Sequence, residues 1–369
     1  MLTYEAFIER DSHFDGKIFV GVKTTKIYCL PSCRAKKPKP ENVLFFQTKD
    51  EAVRSGFRSC KVCFPSLPVG RWFDEGHTVW LQIPDNFSFE ECLKFLSRSS
   101  NECLHHIEDN QIWKAITVHD RCLLLRIRKV ADSIALEFLK PCTHKPTRLA
   151  AAEFVSEWFD LFSDITAFYE MAERDIVLRK LARDYEGLRL IGTPDLFEAL
   201  TWAIIGPRIN PFYGYTLKRN FVTRFGNKIV HGDREYWSFP EAKQIAGVSV
   251  TELIRAGLTR RKSEYIIHLS SEFLTGSISK NGLLKKDFAA SYETLSKLPG
   301  VGCRANYVMM RCLRYPSALP NTDVDLRNAL KQQLKLKEEP TINYTREVFS
   351  RWKGVEAYAT FYLWRSLIP

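Results

Sequence analysis

The chain has 369 residues, a formal net charge of +11 at pH 7, 45% hydrophobic residues and 13% aromatic residues. This length predicts more than one domain, and the hydrophobic content excludes a mainly disordered chain. No apolar run reaches the roughly 20 residues that a membrane span needs, and the N-terminus is unlike a signal peptide. We therefore expect a cytosolic protein without a membrane partner, and the charge favours a polyanionic partner.

Four of the ten cysteines lie near the N-terminus in two close pairs, Cys29 with Cys33 and Cys60 with Cys63. In a reducing compartment such pairs indicate metal binding, and this spacing is typical of four thiolates on one Zn²⁺. Most sites of this kind are structural. The alternative is a reactive site, because a metal-bound thiolate remains a nucleophile and basic residues lie beside these cysteines. The unpaired cysteines are expected to be buried apolar side chains: Cys92, Cys103, Cys122, Cys142, Cys303 and Cys312.

The stretch "DGKIFVGVKTTKIYCLPSCRAKKPKPENVLFF", followed by "SGFRSCKVC", resembles the N-terminal domain of the Ada methyl-response proteins. The resemblance covers nearly all of residues 12–65. It implies that Cys29 accepts a methyl group from a DNA methylphosphotriester while Cys29, Cys33, Cys60 and Cys63 bind zinc. The side chains expected to contact DNA are Thr25, Arg34, Lys36 and Arg58. Val62 departs from the family, which tends to carry an arginine there.

After a predicted linker at "PSLPVG" (65–70), apolar alternation predicts antiparallel strands around 77–83, 115–130 and 133–139, with a capped helix between the first two. From about residue 149 the apolar residues recur at helical spacing, with Thr193, Asp195 and Ser291 as predicted N-caps. The sequence therefore predicts three segments: 1–68, 69–148 and 149–369.

Two motifs near the C-terminus stand out. "LPGVGCRANYVMMRCL" (298–313) places glycines between two helical stretches, where backbone amides at a helix start can bind a phosphate. "ALPNTDVDLRNAL" (318–330) places Thr322 and Asp323 at a helix start, where either side chain would be a natural N-cap.

Together these motifs resemble the helix-hairpin-helix DNA glycosylases, most closely the AlkA type, over residues 77–369. The resemblance implies that Asp323 is the catalytic carboxylate and that Gly300, Gly302, Arg304 and Arg208 contact DNA. Arg304 stands where bifunctional relatives carry a Schiff-base lysine. Arginine offers no neutral amine, so a monofunctional enzyme is expected.

Two features depart from the AlkA pattern. The hairpin is one residue shorter, and Pro207-Arg208 replaces the usual wedge segment that fills the gap left by a flipped base. Arg208 would then be the wedge, or the pocket would be impaired.

We predict an α+β, multi-domain protein: a Cys₄ zinc domain, an antiparallel α/β domain and an all-α helix-hairpin-helix bundle. It is expected to repair alkylated double-stranded DNA as a monomer in the bacterial cytoplasm, associated with the nucleoid. The predicted activities are excision of 3-methyladenine-class purines and methyl transfer to Cys29. The expected cofactor is Zn²⁺, and the hairpin allows for a monovalent cation.

Two alternatives remain open. One is a non-catalytic damage sensor or regulator with an impaired glycosylase pocket. The other is an active glycosylase whose zinc site is only a structural clamp.

Overall fold

The structure is a computed structural model that describes residues 4–10, 14, 18–33, 35–47, 49–60 and 71–368. Its N-terminal part contains α1 (Tyr4–Ile8), β1 (Phe19–Val22), β2 (Ile27–Cys29), β3 (Val43–Phe46), α2 (Lys49–Arg54) and β4 (Arg58–Ser59). The strands form one sheet in the order β3-β1-β2-β4, in which β4 runs parallel to β2. A small apolar core of its own, including Phe19, Tyr28, Phe46 and Phe57, supports this sheet. The predicted linker lies outside the described residues.

The next part is a six-stranded sheet whose described strand pairs are all antiparallel, as the apolar alternation predicts. Its strands lie in the order β5-β6-β10-β9-β8-β7. Helix α3 (Phe89–Leu96) begins at Ser88, whose hydroxyl accepts a hydrogen bond from the Glu91 amide at 3.1 Å. The strands are β5 (Trp72–Asp74), β6 (Thr78–Gln82), β7 (His106–Glu108), β8 (Gln111–Val118), β9 (Arg121–Val130) and β10 (Ser133–Phe138).

The rest of the chain is mainly helical. Its helices are α4 (Lys145–Trp158), α5 (Thr166–Arg174), α6 (Ile176–Asp184), α7 (Leu196–Ile205), α8 (Pro211–Phe225), α9 (Ala242–Ile245), α10 (Val250–Arg255), α11 (Arg260–Thr275), α12 (Lys280–Leu283), α13 (Phe288–Ser296), α14 (Ala305–Arg311), α15 (Val324–Gln333), α16 (Ile342–Ser350) and α17 (Glu356–Arg365). One continuous apolar core joins these helices to α3 and the six-stranded sheet. None of the helices in the described ranges is both long and apolar enough to cross a bilayer.

The helical part also contains a two-stranded ribbon that the sequence analysis did not predict. Strands β11 (Asn227–His231) and β12 (Arg234–Ser238) pair in antiparallel register, and Ile229 and Tyr236 pack against Ala115 and Leu124 of the larger sheet. The ribbon thus extends the contact between the α/β part and the helices.

The predicted N-caps have different outcomes. Asp195 caps α7 by accepting a hydrogen bond from the Glu198 amide at 2.7 Å, as predicted. The predictions for Thr193 and Ser291 are wrong. Asp287 caps α13, and Ser291 lies buried inside that helix with its hydroxyl donating to the Leu283 carbonyl. A short polar side chain with a local acceptor tolerates a helix interior, which is why the residue type alone misleads.

The N-terminal part contacts the rest of the protein through the loop between the first two cysteines. The hydroxyl of Ser32 lies 3.3 Å from Nε2 of His144, which immediately precedes α4. The Nδ1 atom of His144 lies 2.7 Å from the Thr147 hydroxyl in the first turn of that helix.

Candidate functional site

The fold brings three of the four predicted zinc ligands together. Cys29 ends β2, Cys60 follows β4, and Cys33 lies on the intervening loop, where its amide donates to the Leu30 carbonyl at 3.0 Å. Their sulfur atoms lie within 4.8 Å of one another, and those of Cys33 and Cys60 are 3.9 Å apart. Tetrahedral coordination with Zn–S bonds of about 2.3 Å places sulfur atoms roughly 3.8 Å apart, so the three thiols fit a zinc ion. Cys63 lies outside the described residues.

Burial does not distinguish Cys29, the predicted methyl acceptor, from the other two cysteines, since the exposed fractions of Cys29, Cys33 and Cys60 are 6%, 5% and 6%. Among the residues predicted to contact DNA, Thr25, Lys36 and Arg58 are exposed. Arg58 pairs in register with Ile27, so the strand pairing holds it beside the turn that carries Thr25. Arg34 lies outside the described residues.

The second motif forms a tight turn between α13 and α14. Gly300 and Gly302 have φ angles of +84° and +48°, and a Cβ atom on Gly300 would lie 2.4 Å from Cδ2 of Tyr265. The turn is closed by amide hydrogen bonds from Val301 and Arg304. Within the described ranges the Gly300 and Gly302 amides have no recorded protein acceptor, which suits a phosphate contact. Cys303 is exposed on this turn, so its predicted burial is wrong.

The side chain of Asp323 lies at the start of α15, where it caps the helix and forms the candidate catalytic centre. Its Oδ1 atom accepts hydrogen bonds from the Leu326 amide at 3.0 Å and from Nε1 of Trp364 at 3.2 Å. Its Oδ2 atom accepts one from the Arg304 guanidinium at 2.8 Å. Arg304, predicted to contact DNA, is therefore ion-paired with Asp323 in the free protein.

Asp323 and Asp325 differ in their surroundings. Burial, followed by the negative charge of Asp323, raises the pKa of the Asp325 carboxyl. Asp323 is 8% exposed, but it has a guanidinium, an indole and an amide as donors. These three contacts hold the Asp323 side chain in place beside the hairpin, so Asp323 is the better-supported catalytic carboxylate of the pair.

The loop after α7 carries Arg208, the predicted wedge. Arg208 is exposed and has a φ angle of +62°, which is uncommon for a residue with a side chain. Lys262 of α11 holds this loop by donating to the Ile205 and Pro207 carbonyls at 2.6 Å and 3.2 Å. A strained, exposed residue on a fixed loop is typical of functional positions.

A cavity of about 50 Å³ lies between α3, α7, α8 and α14, and Trp202, Tyr215 and Tyr307 are among its lining residues. Tyr307 links it to the catalytic centre, because the Tyr307 ring centroid lies 6.1 Å from that of Trp364. Two aromatic rings thus separate the cavity from Asp323. Two further aromatic side chains of α8, Phe212 and Tyr213, are exposed.

Sequence reasoning did not single out Trp364, Tyr307, Arg98 or Arg311. Tyr307 and Arg311 are one helical turn apart just after the hairpin, so that spacing could have indicated one shared face. Trp364 and Arg98 have no such local signal, because tertiary packing alone brings them to the site.

Three protein families match successive parts of the chain. Residues 3–66 match the metal binding domain of Ada, residues 81–200 the N-terminal domain of 8-oxoguanine DNA glycosylase, and residues 203–354 the HhH-GPD superfamily of base excision DNA repair proteins. These matches and the structure confirm the predicted fold class and the zinc-binding character of the N-terminal part.

Three similar proteins are informative. The Escherichia coli bifunctional transcriptional activator/DNA repair enzyme Ada is 44% identical over 62 residues, which cover 17% of this chain and 18% of Ada. The 3-methyladenine DNA glycosylase from Archaeoglobus fulgidus shares the fold, with a TM-score of 0.67 and 22% identity over 77% of this chain and 96% of that one. The DNA-3-methyladenine glycosylase of Bacillus subtilis is 38% identical over 300 residues, which cover 80% of this chain and 99% of the relative. The chain therefore belongs to the family of that Bacillus subtilis glycosylase.

Proposed function

We propose that the protein repairs alkylated DNA as a monofunctional glycosylase that excises alkylated purines of the 3-methyladenine class. The observation that supports this proposal is the position of the Asp323 carboxylate. It is buried beside the hairpin, and two aromatic rings separate it from a cavity. The activity for which the Bacillus subtilis relative is named supports the same function, and the chain covers almost the full length of that relative.

The reaction breaks the N-glycosidic bond of an extruded nucleotide, and positive charge develops on the sugar as the base leaves. An ionised Asp323 stabilises that charge electrostatically. Arg304 pairs with the carboxylate in the free protein, and the incoming sugar replaces part of this interaction. Because arginine has no neutral amine near pH 7, the abasic product is released without a Schiff base.

Abasic-site formation on methylated duplex DNA tests the glycosylase. The wild-type protein is expected to produce abasic sites, and Asp323→Asn is expected to lose this activity while still binding DNA. Failure of the wild type to release any alkylated base would favour the non-catalytic sensor.

We propose that the N-terminal part performs a second repair step, in which Cys29 takes the methyl group of a DNA methylphosphotriester. An S–C bond forms on Cys29, the methyl C–O bond breaks, and a phosphodiester anion remains. Cys29, Cys33, Cys60 and Cys63 are the residues that would hold zinc, which when bound keeps thiols deprotonated at neutral pH. The three gathered thiols and the match to the Ada metal binding domain support this proposal.

The phosphate backbone would be held against Cys29 by four side chains: those of Arg34 and of the exposed Thr25, Lys36 and Arg58. In the glycosylase part, the Gly300 and Gly302 amides and the Arg208 wedge would hold the damaged duplex. We retain the three proposed segments of the chain: 1–68, 69–148 and 149–369. Bacterial relatives of both parts support a site of action on bacterial DNA in the cytoplasm.

Peptide mass spectrometry after incubation with methylphosphotriester DNA tests the second activity. A single added methyl group on Cys29 is expected in the zinc-loaded protein, and Cys29→Ser should remain unmethylated. An unmodified Cys29 in protein that binds both zinc and DNA would show that the site is a structural clamp.

A further inference from the structure

The ion pair between Arg304 and Asp323 does not fit the chemistry proposed for the carboxylate. Nη1 of Arg304 lies 2.8 Å from Oδ2 of Asp323. A guanidinium this close neutralises the carboxylate, and it repels the positive charge that develops on the sugar as the base leaves. An alkylated purine that is itself cationic is repelled as well. Arg304 must therefore move away from Oδ2 before the base is released.

The Asp323 side chain is held in place independently of Arg304. Its other oxygen, Oδ1, accepts hydrogen bonds from the Leu326 amide at 3.0 Å and from Nε1 of Trp364 at 3.2 Å. Both donors belong to helices that pack in the main apolar core, since Leu326 lies on α15 and Trp364 on α17. Withdrawal of Arg304 thus leaves the carboxylate where it is and makes Oδ2 available to the sugar.

The hairpin offers Arg304 a different partner. Arg304 is the last residue of the 3₁₀ turn that begins at Gly302, and its amide donates to the Val301 carbonyl at 2.9 Å. The Gly300 and Gly302 amides, which we propose to bind a DNA phosphate, belong to the same hairpin. The side chain of Arg304 is 24% exposed and that of Asp323 only 11%, so the guanidinium is the more accessible of the two groups. Because arginine binds phosphate through paired hydrogen bonds, a backbone phosphate at the hairpin competes with Asp323 for it.

A second carboxyl group is influenced by the same guanidinium. Burial, followed by the negative charge of Asp323, raises the pKa of the Asp325 carboxyl, and the positive charge of Arg304 opposes this. Departure of Arg304 therefore removes positive charge from the surroundings of two carboxyl groups at once. The electrostatic potential at the sugar becomes more negative, which favours the positive charge that develops there.

We propose that Arg304 is a positioning residue that a DNA phosphate withdraws from Asp323, so that the catalytic carboxylate becomes available only when the hairpin holds the duplex backbone. This inference rests on the proposed glycosylase function and adds a regulation of the same site. Arg304 acts through Asp323 and forms no bond with the base. One ion pair is exchanged for another, so binding of the backbone drives the withdrawal.

Single-turnover base release at saturating protein tests the inference on duplexes that carry 7-methylguanine and one uncharged methylphosphonate linkage. The linkage is moved through the phosphates on either side of the damaged nucleotide. At the position that Arg304 binds, the wild type is expected to release the base about 10-fold more slowly than from the unmodified duplex, the effect of losing one charge-assisted hydrogen bond. Arg304→Gln should show little of this slowing, because it has no cation to withdraw. Arg346→Gln, which removes an exposed arginine on α16, should respond like the wild type.

Equal slowing of the wild type and Arg304→Gln at every position would overturn the inference, because the phosphate would then act without Arg304. A wild type that is slowed at no position would overturn it as well. A wild type that releases no base from the unmodified duplex would instead reject the proposed function. Circular dichroism checks that Arg304→Gln is folded. If it is not, Arg304→Met, which keeps the apolar stem of the side chain, takes its place with the same expectations.

Discussion

The Asp323 carboxylate serves the fold with one oxygen and is available to chemistry with the other. Oδ1 caps α15 through the Leu326 amide, while Oδ2 contacts only Arg304 among the described residues. Capping and catalysis, which the sequence presents as competing interpretations, are therefore compatible in one side chain.

Substitutions of Asp323 separate these two roles. Asp323→Asn keeps an oxygen that can cap α15, whereas Asp323→Ala loses the cap and is expected to cost about 1 kcal/mol more in the free energy of unfolding. Both variants should slow base release by at least ~10²-fold, because neither carries a charge near the sugar. Denaturant unfolding and abasic-site assays measure the two effects. Equal stability of the two variants would contradict the capping role.

Arg304 offers a test of the monofunctional mechanism. Its guanidinium lies 2.8 Å from Asp323, so Arg304→Lys would place a primary amine beside the site where the abasic sugar forms. An amine can form a Schiff base with that sugar, whereas a guanidinium cannot. We expect borohydride to trap a covalent DNA complex with Arg304→Lys and none with the wild type or with Arg304→Gln. Trapping by the wild type would show that another amine reaches the sugar.

At the scale of elements, the hairpin between α13 and α14 depends on two glycines for different reasons. Gly300 combines a positive φ angle with a side-chain neighbour, Tyr265, whereas a Cβ atom on Gly302 would meet nothing within 4 Å. At Gly300 both the backbone conformation and the contact with Tyr265 disfavour a residue with a side chain. At Gly302 only the backbone conformation does so.

Gly300→Ala is therefore expected to be the more damaging of two matched substitutions. A positive φ angle costs an alanine about 1–2 kcal/mol at either position, and at Gly300 the clash with Tyr265 adds to this. Denaturant unfolding and duplex-DNA affinity should both fall further for Gly300→Ala than for Gly302→Ala. Adding Tyr265→Ala to Gly300→Ala should recover the steric part, and no recovery would show that the backbone alone sets the cost.

The elements also show what local sequence can predict. The convergence of Cys29, Cys33 and Cys60 was predictable from their spacing, since metal ligands must come together in the fold. The ribbon of β11 and β12 was missed because its strands are short and lie between long helices, where only the turn at Gly232 signals them. Trp364 became a site residue only in the fold, because packing between distant helices brings its side chain to Asp323.

At the scale of the whole molecule, a buried ion pair joins the α/β part to the helices. Glu102 follows α3, and Lys218 lies on α8; each side chain is 10% exposed. Burial is the largest single effect and raises the pKa of Glu102, but Lys218, His105, the Leu104 amide and Lys114 together outweigh it, so the pKa lies well below its ordinary value. Folding therefore favours the ionised carboxylate.

This pair predicts a specific pH dependence of stability. Glu102→Gln leaves the more distant Glu198 as the carboxylate partner of the buried Lys218. The substitution is expected to lower the free energy of unfolding by about 3 kcal/mol at pH 7. The stabilisation is fully present above the unfolded-state pKa of about 4.3 and is lost as pH falls towards the folded-state pKa. The difference in unfolding free energy between wild type and Glu102→Gln should therefore stay constant from pH 7 to pH 5 and narrow below about pH 4. A difference that widens in acid would contradict the lowered pKa.

Helix α17 affects the order in which the two sites of the protein are completed during its synthesis. It supplies the Trp364 indole to Asp323, and its Arg365 donates to Glu91 of α3 at 2.9 Å. The ribosome completes the N-terminal part, which has its own apolar core, long before it makes this helix. A nascent chain can thus assemble its cysteine cluster early, whereas the centre at Asp323 stays incomplete until α17 has emerged and docked. Methyl-acceptor capacity would then precede base excision in every newly made molecule.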